Sequence, residues 1–524
     1  MSTAKKNFLR QGTILAAAGI LVRLIGMVYR IPMANIIGSE GNGIYGVAYN
    51  VYNIALVLSS YGLPMAVSKL VSARVVNKQY RNTYQMFKAA VIFGAITGGI
   101  AGSILFFGAG FIERTFYASY GGIALPLKVL APTVFIVALL GVVRGFFQGQ
   151  KTMVPTAVSQ VIEQIVNAVV SIGAAVMLMS AFKNADNTAA YGAAGGTLGT
   201  CIGALCALLF LVALFFLYRP VFYKRMRKDR VGITESYEEM FRLILLTTVP
   251  FILGQTFYQI SALFDDIIFG NVMAAKGIPS ESIKAMSGVY SSQYTVLISV
   301  PMGIASSMAA SMLPSVVASS TLGYEDAVKR QVHQSVKFNM MIAIPSAVGL
   351  AVLGTQALRI LYPRLDYVMG GQMLKIGSAA VIFFALSTVT TSSLQAINHM
   401  NLPVIHNVVS LFIHIALVSL LLKFTDMGIY AIVIGCMTFP VPVAILNMIA
   451  LKKYTGYRQE IVHSFVVPAC CAAVMGVAVY TMYELMYFIC KNNFVSVMVA
   501  VVIAMAVYFI PMYKLGELKG FKKS

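Results

Sequence analysis

The chain has 524 residues, 59% of them hydrophobic and only 11% charged, with a mean hydropathy of +0.81. These figures exclude a soluble globular protein and leave no room for a soluble catalytic domain. The net charge of +21 would suit nucleic acid, but Lys and Arg collect on alternate loops, the positive-inside bias of a multi-pass membrane protein. Inner-leaflet anionic lipid is the expected partner for that charge. A spanning helix needs ~20 apolar residues, and fourteen such segments follow one another: 11–37, 44–70, 86–110, 123–147, 153–181, 191–217, 241–271, 287–317, 336–358, 373–397, 402–422, 428–451, 463–489 and 494–513. The expected fold is an all-α integral membrane bundle with both termini cytoplasmic; the alternation of a β-barrel is absent.

The first span is too long, and too interrupted by arginine, to be a cleaved signal peptide. Lys5, Lys6 and Arg10 precede it. Arg23 lies near its middle and Arg30 one heptad on, ~10.5 Å apart on nearly one helical face. A charge at mid-membrane costs ~2.5–3.5 kcal/mol even on the lenient insertion scale. Arg23 therefore reads either as an anion clamp, since guanidinium matches phosphate bidentately, or as half of a structural ion pair. Arg30, nearer the outer face and able to snorkel, carries the same two readings, substrate-binding or structural. "GNGIYG" (Gly41 to Gly46) matches a dinucleotide fingerprint, but no strand precedes it.

The third span repeats glycine at 94, 98 and 102, and the sixth at 195, 199 and 203, a spacing that lets helices touch closely. Arg144 ends the fourth span on the cytoplasmic side within reach of headgroups, and reads mostly as a structural residue for topology and folding. In the fifth, Glu163 stands among Gln160, Gln164 and Asn167, either an interhelix seam or the wall of a hydrophilic cavity; Gln148 belongs with this polar group. The 219–240 linker carries Arg219, Lys224, Arg225, Arg227, Lys228 and Arg230 and is expected in the cytoplasm.

Beyond it the chain echoes itself. Gly43 and Gly288, Tyr45 and Tyr290, and Tyr49 and Tyr294 are each 245 residues apart; Gln148 and Gln395 are 247 apart, and Pro155 and Pro403 are 248 apart. This predicts a duplication: a first six-helix lobe at 1–218, a second at 241–452, and two further helices with a cytoplasmic tail at 453–524. Six being even, the lobes share one orientation, with a site at midplane between them. Subtracting 245 puts Asp265 and Asp266 of the seventh span near residues 20 and 21, within a turn of Arg23. They project ~100° apart, so only one faces the cleft squarely, as a site for Na⁺ or a proton or as a counter-charge; Asp265 is narrowly preferred. The six cysteines show no zinc or disulfide spacing, the five histidines show no metal spacing, and nucleotide and hydrolase motifs are absent. No cofactor, metal or enzymatic activity is expected, and the energy source is an ion gradient or the membrane potential.

The runs "RLIGMVYRIP", "VSKLVSAR" and above all "RGFFQGQKTMVPTAVSQVIEQIV" (Arg144 to Val166) resemble the stage V sporulation protein B/polysaccharide biosynthesis family of the multidrug/oligosaccharidyl-lipid/polysaccharide exporter superfamily. The resemblance implies a bacterial cell-membrane flippase moving undecaprenyl-linked glycans outward, the murein precursor lipid II foremost. It also implies V-related lobes, a lipid-tail groove on the last two helices, and the cell-wall synthesis machinery as a partner. Arg23 resembles the first cavity arginine of murein flippases. The second basic position falls on Tyr29, further cavity charges fall near Leu58 and Val296, and an arginine usual in the family is Asn167 here. The alternative in the same fold is a cation-coupled multidrug exporter.

Overall fold

The computed structural model describes the backbone of residues 3–229 and 231–517. The side chains of Lys5, Lys6, Arg10, Pro250 and Pro314, and all of Arg230, lie outside the described residues. Every regular element described is helical. In chain order these are α1 (Thr3–Ser59), α2 (Leu63–Val76), α3 (Tyr80–Phe116), α4 (Ala124–Gly149), α5 (Val154–Ala181), α6 (Thr188–Arg227), α7 (Tyr237–Ala275), α8 (Ser280–Val289), α9 (Thr295–Thr321), α10 (Glu325–Leu361), α11 (Tyr367–Gly377), α12 (Ala380–Ala396), α13 (Asn401–Phe424), α14 (Ile429–Thr438), α15 (Pro440–Thr455), α16 (Val467–Cys490) and α17 (Asn493–Lys514). Single π-helical turns at Tyr290–Tyr294 and Val462–Val466 lead into α9 and α16.

Polar side chains set the helix ends. Asn187 accepts from the Ala190 amide to open α6. Ser236 and Glu239 form a reciprocal capping box at the start of α7, which satisfies two otherwise orphaned backbone donors. Gly456, with φ +67°, ends α15.

The 57 residues of α1 are two limbs. Gly38 has φ 72° and ψ 176°, a conformation that suits glycine. The Arg30 guanidinium lies 5.9 Å from the centroid of the Tyr49 ring, whereas nineteen residues of straight helix would separate them by ~28 Å. The chain therefore doubles back at Gly38. Asn42 secures the corner, donating from Nδ2 to the Ala34 and Gly38 carbonyls at 2.9 and 2.7 Å. "GNGIYG" thus opens the second limb as buried helix.

Among the described residues eleven helical stretches are long and apolar enough to cross a membrane, or twelve if α11 and α12, bent by 51°, make one span. Fourteen were expected. The stretch Leu21–Val76 counts once although it holds two expected spans around Gly38, and segment 241–271 lies in α7, where several side chains are undescribed.

The chain divides into two compact units, Met1–Gly288 and Val289–Ser524. In the first, the glycine ladders do the packing that their spacing implies. A Cβ on Gly98 would lie 2.7 Å from Ala138 Cβ, and one on Gly102 2.8 Å from the Ala131 carbonyl, so α3 lies directly on α4. Gly195, Gly199 and Gly203 similarly admit the α5 backbone at Ala175, Ser171 and Glu163. The linker is tied down: Arg74 pairs with Glu235, and Asn82 exchanges hydrogen bonds with Thr234. Burial pushes the Asp229 carboxyl up, but amide donors from Arg81, Val231 and Gly232 outweigh it and hold it below the usual carboxylate range.

α7 and α8 belong to this first unit, although the 219–240 linker precedes them. There the duplication shows as a reciprocal contact. A Cβ on Gly43 would lie 2.1 Å from the Lys284 carbonyl oxygen, and one on Gly288 1.8 Å from that of Ser39. Positions 39 and 43 are the counterparts of 284 and 288 at the 245-residue offset. A contact in which i meets j and j meets i is what a local twofold imposes.

In the second unit, Asn447 of α15 donates to Thr390 and Thr391 of α12 at 3.1 and 2.9 Å, and Tyr508 of α17 donates to the Met341 carbonyl of α10 at 2.9 Å. Tyr290 and Tyr294 stack there with centroids 5.4 Å apart and planes at 26°. Their counterparts in the first unit, Tyr45 and Tyr49, stack at 5.4 Å and 22°.

Candidate functional site

The charged residues singled out by the sequence fall into three groups, all in the first unit. On the first limb of α1, Arg23 is exposed, about 22 Å along the axis from the Gly38 corner. Arg30 turns onto the second limb of α1. It is half-buried against Tyr49, which continues a column with Tyr45 and with Tyr52 at 5.4 Å. A cation on an aromatic face gains ~0.5–1 kcal/mol at exposed sites and ~2 or more when desolvated, and this contact keeps the guanidinium between the two limbs.

The second group lies on α4 and α5. Arg144 turns into the helix bundle. Its Nη2 is 2.7 Å from Glu163 Oε2, with side chains 14% and 27% exposed, and its Nε donates to Ser159 Oγ at 3.0 Å. The i, i+4 geometry of α5 aims Ser159 and Glu163 at the same guanidinium. Gln148 Nε2 lies 3.4 Å from Thr156 Oγ1 on the same pair of helices. The polar stripe continues toward α1: a Cβ on Gly26 would meet Gln164 Nε2 at 3.2 Å. Asn167 Nδ2 donates to the Tyr29 hydroxyl at 3.2 Å, and Asn167 Oδ1 accepts from Ser171 at 2.8 Å. Gln164 and Asn167 therefore form a seam against the limb that bears Arg23 and Arg30.

The third group is acidic. Asp265 is buried and Asp266 half-buried on α7. Asp266 Oδ2 accepts from Asn50 Nδ2 on the second limb of α1 at 2.8 Å, and its carbonyl accepts from Tyr120 at 3.2 Å. Asn50, Tyr49 and Tyr120 were not singled out as site residues. Tyr49 was visible only as a repeated position, and nothing in the sequence links Asn50 or Tyr120 to a residue so far along the chain. Among the described residues no group of three or more His, Cys, Asp or Glu is arranged to hold a metal ion.

Residues 8–319, more than half of the chain, match the family described as polysaccharide biosynthesis protein. The chain belongs to that family. Among this family's relatives, it is 27% identical to the lipid II flippase MurJ of Bacillus subtilis over 98% of this chain and 96% of the relative. It is 24% identical to stage V sporulation protein B of the same organism over 86% and 84%. A solved structure of the lipid II flippase MurJ in an inward closed conformation superposes with a TM-score of 0.68 at 15% identity, covering 95% of this chain and 97% of that one. An inward-facing multidrug resistance MATE transporter of the MOP superfamily gives 0.67 at 15% identity, covering 85% and 100%. The chain thus shares the fold of these two solved membrane proteins.

Proposed function

We propose that the chain is a flippase that carries an undecaprenyl-linked cell-wall glycan precursor, lipid II or a related lipid-linked oligosaccharide, from the inner to the outer leaflet by alternating access of the lobes at 1–218 and 241–452. The observation that carries this reading is Arg23, a guanidinium on the exposed surface of a membrane-spanning limb. A charge kept at such depth is costly and serves a cavity or a pathway, and guanidinium offers a bidentate match to the pyrophosphate that joins lipid to glycan. Arg30 adds positive charge on the same limb. Asp265 and Asp266 act as the coupling site for Na⁺ or a proton, or as counter-charge to the arginines. Both termini and the 219–240 linker are cytoplasmic, and the cell-wall synthesis machinery is the partner that receives the product.

Reconstitution in liposomes tests this. Lipid II and a second undecaprenyl-pyrophosphate glycan are supplied in one leaflet, and headgroup appearance is followed in the other. Arg23→Lys keeps part of the rate and Arg23→Gln little, because lysine retains the charge but not the fork. A folded Arg23→Gln that flips lipid at the wild-type rate rejects the clamp. The second reading, cation-coupled multidrug export, is favoured by the bonded carboxylate of Asp266; it prevails if neither lipid moves and a cationic dye is expelled.

A further inference from the structure

Two aromatic–cation pairs meet where α3 and α6 leave the apolar part of the bundle. On α6, Arg219 and Tyr223 stand four residues apart; the guanidinium carbon is 5.1 Å from the ring centroid, and Nη2 donates to the Tyr223 hydroxyl at 3.2 Å. On α3, Tyr84 and Lys88 are also four apart, with Lys88 Nζ 4.7 Å from the Tyr84 centroid. The pairs are joined: the Tyr223 hydroxyl donates to that of Tyr84 at 3.4 Å, and the rings lie 5.7 Å apart. Behind them Phe222 is buried and packs on Tyr84 at 6.3 Å. The result is a bracket of two tyrosines with a cation on each side. Both cations are exposed, and among the described residues neither is ion-paired.

Two helices independently give its depth. Arg219 lies ~47 Å along α6 from Thr188, and Lys88 ~42 Å along α3 from Phe116. A bilayer with its headgroup layers is ~40–45 Å thick. Each cation is thus separated from the far end of its helix by about one bilayer thickness, the spacing expected of a residue at headgroup level. Tyrosine is suited to that layer, its ring in the apolar side and its hydroxyl in the wet side. Resting on a ring also restricts the rotamers of Arg219 and Lys88 before anything binds, so less ordering entropy is lost on binding.

We propose that Tyr84, Lys88, Arg219 and Tyr223 form a binding site for the phosphate headgroup of an anionic phospholipid, with Lys224 and Arg225 adding to its positive field. Lysine and arginine approach the phosphodiester from two sides, the tyrosines set their spacing, and the acyl chains follow the apolar surfaces of α3 and α6. The site is apart from Arg23 and Arg30 and takes bulk membrane lipid rather than the transported molecule.

The test is native mass spectrometry of the purified full chain titrated with phosphatidylglycerol, with phosphatidylethanolamine and inorganic phosphate as separate arms. Retained phosphatidylglycerol should exceed retained phosphatidylethanolamine, and free phosphate should not compete at equal concentration. Arg219→Gln and Lys88→Gln should each weaken retention roughly fivefold, the value of one basic residue near an anionic surface. Tyr223→Phe, which keeps the ring and loses the joining hydroxyl, should weaken it by less. Lys423→Gln is the control: that lysine lies 5.8 Å from a single ring, Phe424, and its loss should change little. Equal retention of the two lipids overturns the proposal, as does competition by free phosphate. So does an effect of either bracket variant no larger than that of Lys423→Gln.

Discussion

Asn50 donates from Nδ2 to Asp266 Oδ2 at 2.8 Å, joining the second limb of α1 to α7 across more than two hundred residues of sequence. Hydrogen bonds to charged groups contribute ~1.5–3 kcal/mol. In thermal unfolding of the purified protein, Asn50→Ala and Asp266→Ala should each destabilise, and the double variant should lose less than their sum, with a coupling of ~0.5–3 kcal/mol. Strict additivity would mean that the bond contributes nothing.

The reciprocal glycine contact makes a sharper prediction. Gly43→Ala and Gly288→Ala each drive a methyl into a backbone carbonyl, which no rotamer change relieves, and should cost at least the ~1–3 kcal/mol of overpacking. Gly110, inside α3 with nothing within 4 Å of a Cβ, is the contrast. Gly110→Ala should be neutral or stabilise by up to ~1 kcal/mol, since alanine has the higher helix propensity. Unfolding midpoints of the three variants side by side check both statements.

Arg144→Ala leaves Glu163 without its counter-charge. Removing one partner of a buried pair costs ~3–5 kcal/mol; the loss here should fall at the low end, because the Glu163 side chain is 27% exposed. Arg144→Met combined with Glu163→Met should recover most of it. If the double variant is as unstable as Arg144→Ala, the damage comes from packing and not from the stranded carboxylate.

Glu517, just past α17, accepts from Lys337 Nζ at 2.5 Å and sits 2.7 Å from His463 Nδ1. Burial pushes its carboxyl up, but these hydrogen bonds outweigh it and hold it below the usual range. A carboxylate with a depressed folded value contributes stability that is complete above its unfolded value, ~4.3 for Glu, and is lost as pH falls through the folded one. Amide protection near Tyr513, taken relative to the intrinsic exchange rate at each pH, should therefore hold down to about pH 4 and fall below it. Glu517→Gln should show low protection at neutral pH and little further change in that window. A wild-type profile flat to lower pH would show that the contact carries no stability.

Topology is read at the linker. Ser236 caps α7 and is a poor reporter, whereas Ile233 is 61% exposed. In a cysteine-free background, Ile233→Cys should resist an impermeant thiol reagent in intact cells and react after permeabilisation. Labelling of intact cells would place the linker outside.

Composition and hydropathy were enough to establish a helical membrane protein, because a bilayer admits few other ways to satisfy backbone hydrogen bonds. The glycine ladders on α3 and α6 were legible because close approach needs small residues at helical spacing. The repeat at an offset of 245 was legible because both copies keep the same Gly and Tyr positions, and the stacked pairs Tyr45–Tyr49 and Tyr290–Tyr294 have nearly the same geometry. What each charge touches was decided only by the tertiary structure. Arg144 meets Glu163 only because α5 packs beside α4, and Arg30 meets Tyr49 only because the chain reverses at Gly38. Sequence spacing preferred Asp265 over Asp266 only narrowly, and could not show that Asn50, on a distant limb, bonds Asp266. A side chain's type and spacing follow from local sequence, but its partner depends on which distant helix packs beside it, and that is a property of the whole bundle.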